Sequence, residues 1–138
     1  MVVKKWVPQA EVVQHEAVGA FVTHCGWNSM LEAIMAGLPM ICWPLYAEQR
    51  INKVSMVEEM KIAVALEGYE EFVKAEKVAK KVSLIMETEE GKVLKERLML
   101  AKERAFETIK HDGSSELAFA EFLRDLEKKN ASQNGESH

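Results

Sequence analysis

The chain has 138 residues, 48% apolar and 29% charged, with a formal net charge of −4. That suits one soluble domain with a modest core, and the acidic balance argues against a polyanion-binding face, which needs clustered cations. No apolar run approaches the roughly 20 residues that span a bilayer, and Met1–Lys5 leads straight into Trp6 without a signal-peptide pattern.

In chain order, Val2–Val7 is a short extended run ending at Pro8, and Ala10–His15 is a short helix or turn. Val18–Thr23 is apolar and β-branched and reads as a buried strand. Asn28–Ala36 has helical spacing (Leu31, Ile34, Met35) and stops at Gly37, a suitable C′ residue. Leu38–Trp43 reads as a second strand closed by Pro44, Arg50–Met60 as a helix, and Lys61–Leu66 as a third strand. Strand and helix alternate with short links, the pattern of an α/β domain with a parallel sheet and crossover helices.

From Lys74 onward the chain turns to charged, amphipathic helices. Val78, Val82 and Ile85 form one apolar stripe; Leu94, Leu98, Ala101, Ala105 and Ile109 form another. Asp112–Gly113 breaks the helix and Ser114 is placed to cap the next, with Glu116 in its first turn and Leu117, Ala120 and Leu123 on one side. Residues 1–129 read as one domain, and the polar Asn130–His138 as a disordered tail.

The chemistry concentrates in Thr23-His24-Cys25-Gly26-Trp27-Asn28-Ser29, where a parallel strand ends and a helix begins. In open α/β sheets ligands bind outside the carboxyl ends of the strands. A helix N-terminus adds unpaired N–H groups and a positive dipole end, which attract phosphate. Gly26 lets a ligand approach the backbone, and Asn28 and Ser29 are N-cap types that also donate to phosphate oxygens. A capped helix after a buried strand accounts for the same pattern with no ligand. No lysine or arginine lies between Lys5 and Arg50, so a diphosphate here is held by neutral donors, the helix dipole and His24. A Cys–His nucleophile is excluded, because adjacent residues at a strand end point to opposite faces. Cys25 and Cys42 then read as buried free thiols of a reducing compartment, which places the protein in the cytoplasm. His15 has no companion ligands, and no metal site is expected.

Trp6-Val7-Pro8-Gln9, His15, Gly19, His24 to Ser29, Glu32, Gly37-Leu38-Pro39, Pro44 and Glu48-Gln49 resemble the plant secondary product glycosyltransferase box of the family 1 UDP-glycosyltransferases. Arg50-Ile51-Asn52-Lys53, Val57-Glu58-Glu59-Met60 and Asp112-Gly113-Ser114-Ser115 extend the resemblance downstream. It implies the Rossmann-like C-terminal, donor-binding domain of a GT-B enzyme. It also implies roles: Trp6 stacks on uracil, the Val7 backbone bonds the uracil edge, and Gln9 and Glu32 meet the ribose. His24, Asn28 and Ser29, with the Gly26 and Trp27 backbone, hold the diphosphate, and Glu48 and Gln49 bind sugar hydroxyls. Gln49 in place of histidine favours glucose as the donor sugar. Tyr46 lies near the sugar or the acceptor, or only packs.

By the same resemblance, UDP-glucose is a substrate and no cofactor or metal is implied. The acceptor, a small phenol of flavonoid type, binds mainly to a separate N-terminal domain, which supplies the catalytic histidine and its aspartate. Nothing in this sequence corresponds to those residues, so no catalytic residue is assigned. Strands preceding Val2 are expected to be missing, with exposed edges and low stability as the result. The expected function is the donor-binding portion of an inverting UDP-glucose-dependent transferase; the alternative is a non-catalytic UDP-sugar-binding fragment. No nucleic-acid or membrane partner is expected.

Overall fold

The structure is a computed structural model and describes residues 5–135. The chain divides into two compact units, Met1–Lys102 and Glu103–His138.

The first unit carries the sheet. Strands β1 (Phe21–Thr23), β2 (Met40–Cys42) and β3 (Ala63–Ala65) form a three-stranded parallel sheet in the order β1-β2-β3. Val22 pairs with Ile41, which pairs with Val64. All of β2 is buried, as befits a parallel strand covered on both faces, whereas Val22 on the edge strand β1 is 43% exposed. The ladders are shorter than the apolar runs that predicted them. Single bonds lengthen them slightly: Phe21 N–H donates to Pro39 O at 2.8 Å, and Leu66 N–H to Cys42 O at 3.0 Å.

Val2–Val7 does not extend this sheet. Residues 2–4 lie outside the described residues, and Lys5–Pro8 has no regular structure. Helix α1 (Gln9–Gln14) follows, one residue off the expected span at each end. Helix α2 (Trp27–Ala36) starts at Trp27 with Gly26 as its N-cap, so neither Asn28 nor Ser29 caps it. Its buried face is Met30, Ala33 and Ile34 rather than Leu31 and Met35, a shift set by the packing of the preceding strand. Gly37 ends it at φ 66°, donating to the Ala33 and Ile34 carbonyls, as a left-handed C-terminal residue does.

The Arg50–Met60 region is α3 (Gln49–Val54) followed by a π-helical segment (Ser55–Glu59). The Met60 N–H reaches back to Ser55 O at 2.9 Å, and Lys61 at φ 56° turns the chain into β3. Helices α4 (Ala75–Glu87) and α5 (Glu89–Ile109) carry the expected stripes only in part. Ile85, Leu94 and Leu98 are buried, whereas Val82 and Ile109 are exposed. Ile41, Val64, Leu66, Val73, Ile85 and Leu94 make one core cluster, which seats the sheet on α4 and α5.

In the second unit, α6 (Ser114–Gly135) includes Ser114 as its first residue, so Ser114 is not the cap. Glu116 in the first turn instead bonds the chain before the helix, accepting from the Asp112 N–H at 2.7 Å and lying 3.0 Å from His111 Nδ1. Leu117 and Leu123 are exposed. The helix runs past Asn130 into the segment expected to be disordered, since Glu127, Lys128 and Lys129 are good helix formers and Ala131 continues them. Residues 136–138 of that segment lie outside the described residues. No helix among the described residues is long and apolar enough to cross a membrane.

Candidate functional site

The carboxyl end of β1 feeds a three-residue link, His24-Cys25-Gly26, into α2. Cys25 sits at φ 67°, in the left-handed region that costs a non-glycine residue energy. The surroundings hold it there. Its N–H donates to Thr23 Oγ1 at 3.1 Å, and its carbonyl accepts from Asn52 Nδ2 at 3.0 Å. Thr23 is itself tied to the neighbouring strand end, its carbonyl accepting from Trp43 N–H at 2.8 Å.

This turn leaves His24 exposed and buries Cys25 completely. It also brings the imidazole back over Gly26, where a Cβ would lie 2.5 Å from His24 Nε2. The space above Gly26 is thus filled by the His24 imidazole. Gly26 has no side chain to cap α2, so the first-turn N–H groups of Trp27, Asn28 and Ser29 carry no side-chain cap. Trp27 and Asn28 are exposed.

Gln9, Ser29 and Glu32 are brought together. Gln9 Nε2 donates to Ser29 Oγ and to Glu32 Oε2, each at 2.9 Å, across the packed helices α1 and α2. Ser29 is buried to 7% exposure, so its hydroxyl is engaged by Gln9 rather than freely presented. Trp6 just upstream is 88% exposed and Val7 lies at the surface.

Gln49 has a structural part in the turn before α3. It is 4% exposed, and its Oε1 accepts from the Leu45 N–H at 2.9 Å and the Tyr46 N–H at 3.2 Å. The acceptor half of the amide therefore holds the 45–48 turn, in which Ala47 stands at φ 53°. Glu48 and Tyr46 are exposed on the same turn.

Sequence reasoning missed Asn52 and Lys53. Asn52 stands in the downstream resemblance, but only its contact with Cys25 gives it a role. Lys53, 15% exposed at its side chain, lies 3.7 Å from Glu58 and 5.7 Å from the Tyr69 ring. Its charge also acts on Cys25, helping to lower the thiol.

Cys25 and Cys42 are buried free thiols, as expected. Cys25 Sγ donates to the Thr23 carbonyl at 3.7 Å. The Cys25 thiol is held below its ordinary value, first by the Cys42 hydrogen bond, then by the Trp43 backbone and Lys53 against an opposing burial effect. Cys42 is pushed up by that pairing and by burial.

A cavity of about 500 Å³ lies elsewhere in the first unit, lined by Val57, Lys61, Val64, Glu67 and Lys81 among others, and includes none of the expected site residues. Among the described residues, His111, Asp112 and Glu116 are the group with metal-ligand character; all are exposed and serve one another at the start of α6.

The family model for "UDP-glucoronosyl and UDP-glucosyl transferase" matches residues 1–124. The chain belongs to that family. It is 47% identical over 129 residues to a phloretin 2'-O-glucosyltransferase of Malus domestica, covering 91% of this chain and 27% of that protein. It is 47% identical over 116 residues to isoflavone 7-O-glucosyltransferase 1 of Glycine max, covering 83% of this chain and 24% of that one. Among solved structures, a Medicago truncatula transferase complexed with UDP-glucose matches with TM-score 0.80 at 33% identity, over 88% of this chain and 27% of that one. A Phytolacca americana transferase complexed with UDP-2fluoro-glucose and pterostilbene matches with TM-score 0.81 at 36% identity, over 88% and 28%. The fold is therefore that of part of a GT-B transferase domain, and the chain spans about a quarter of the length of the relatives it matches.

Proposed function

We propose that the face formed by Trp6, Val7, Gln9, the His24–Ser29 turn and Glu32 is the UDP-binding part of a donor site, and that Glu48, the Gln49 Nε2 group and Tyr46 border the sugar. The observation that carries this reading is the joint placement of Gln9, Ser29 and Glu32 beside the uncapped start of α2. A carboxylate acceptor suits ribose hydroxyls, and a free helix N-terminus suits the diphosphate. The exposed Trp6 indole suits the base, and stacking of this kind is worth ~1–3 kcal/mol.

The reaction we assign to the whole enzyme is transfer of glucose from UDP-glucose to a phenolic hydroxyl, with inversion and with no metal or cofactor. The glucosyltransferases named for phloretin and isoflavone among its relatives support a flavonoid-like acceptor, and a cytoplasmic location fits the free thiols. In this assignment the chain alone binds donor without turning it over. Among the described residues, His111, 85% exposed and located in the second unit, is the histidine that contacts carboxylates. His24 has no such partner and is assigned to the diphosphate.

Calorimetric titration with UDP and UDP-glucose tests the site; absence of heat with both sinks it. Incubation with UDP-glucose and a panel of phenols tests the second part. Glucoside formed by this chain alone would contradict the assignment of the base elsewhere.

A further inference from the structure

Helix α3 meets both ends of the donor face with residues one turn apart. Gln49 Oε1 accepts from the Leu45 and Tyr46 N–H groups, and Asn52 Nδ2 donates to the Cys25 carbonyl at 3.0 Å. Residues at i and i+3 share one helix face, so a single surface of α3 holds the 45–48 turn and the 24–26 turn together. The second contact matters most for the phosphates. Cys25 stands in the left-handed region, and the next residue, Gly26, is the N-cap whose carbonyl accepts from Met30 N–H at 3.0 Å. Rotation of the Cys25 peptide would swing His24 and re-aim the start of α2. Thr23 Oγ1 fixes the N–H side of that residue and Asn52 fixes the carbonyl side.

We propose that Asn52 is a positioning residue for the donor diphosphate, acting through the Cys25 carbonyl to hold His24 and the first N–H groups of α2 in phosphate-binding register. This rests on the donor-site reading. Asn52 touches no part of the ligand itself; it determines how well the turn is pre-organised. The effect falls on the diphosphate and spares the nucleoside, which is met by Trp6, Gln9 and Glu32.

The test measures Kd for UDP and for uridine by tryptophan quenching, in the unaltered chain and in Asn52→Ala and Asn52→Asp. The aspartate keeps the shape and loses the donor. A fraction of misfolded chain reduces the number of sites but leaves the ratio of the two constants unchanged, so the ratio is the readout. Loss of one hydrogen bond predicts roughly tenfold weaker UDP binding in both variants with uridine affinity held. Equal weakening of both ligands, or unchanged UDP binding, overturns the positioning role. If the unaltered chain binds neither ligand, the donor-site reading falls first and the role of Asn52 with it.

Discussion

Gln9 Nε2 lies 2.9 Å from Ser29 Oγ, a contact between residues twenty positions apart that ties α1 to the first turn of α2. The same nitrogen reaches Glu32 Oε2 at 2.9 Å. One amide thus orients both the Ser29 hydroxyl and the Glu32 carboxylate, which the proposed donor site assigns to the phosphate and ribose sides. The arrangement makes the nucleoside contacts interdependent, since a ligand hydroxyl that takes the Glu32 carboxylate must share it with Gln9.

Glu32→Ala should therefore weaken UDP binding by about tenfold to a hundredfold, the range for a lost hydrogen bond to a charged group. Gln9→Ala should cost less in affinity but should also lower stability by ~0.5–1.5 kcal/mol, because it leaves the nearly buried Ser29 hydroxyl without its donor. Calorimetry and thermal melts on both variants separate these effects. Equal loss of affinity with no change in melting would mean that Gln9 contacts the ligand and does not organise the site.

Trp6→Ala makes the opposite pairing. The indole is 88% exposed, so its removal should shift stability by less than ~0.5 kcal/mol. UDP and uridine should each bind roughly 5- to 150-fold more weakly, the equivalent of one lost stacking contact. A large drop in melting temperature would show instead that the indole is covered in solution.

How much of this was legible in the sequence depends on the kind of information each residue carries. The parallel sheet was readable from the runs around Val22, Ile41 and Val64, because a strand covered on both faces must be apolar throughout. The stop at Gly37 was readable because its left-handed φ of 66° favours glycine. The N-cap was misread. Asn28 and Ser29 have capping chemistry, but the helix starts before them because the His24–Gly26 turn sets its direction. Gln49 was expected at the site by resemblance, but its orientation was not readable, since only the folded turn shows that its carbonyl oxygen is taken by Leu45 and Tyr46. Asn52 was invisible as a clamp because its partner is a backbone carbonyl, which carries no residue identity. The helix through Asn130 was missed because polarity argues for solvent exposure, which a solvated helix satisfies as well as a coil does.

The thiols provide a check on the fold itself. Cys25 and Cys42 are both 0% exposed, so neither should react with a thiol reagent while the first unit is folded, whatever its protonation. Denaturant should release both thiols of the chain. Protection of at least about a hundredfold in rate over the denatured chain is expected for fully buried residues at the ends of packed strands. Rapid labelling of Cys25 in native buffer would mean that the 24–26 turn opens, and with it the register on which the diphosphate contacts depend.

The last prediction concerns the stacked pair at the head of α2. A Cβ on Gly26 would lie 2.5 Å from His24 Nε2, a distance that real contacts do not allow. Gly26→Ala must therefore push the imidazole away, while the backbone, at φ −65° and ψ 141°, accepts alanine without strain. The substitution displaces His24 without altering it. If the imidazole is a diphosphate contact, Gly26→Ala and His24→Ala should each weaken UDP binding by about tenfold, and the double variant should be hardly weaker than either alone. Non-additivity is the expected signature because both changes remove the same interaction. Additive losses in the calorimetric cycle would assign Gly26 its own contact with the ligand and would free His24 from the role of filling the space above it.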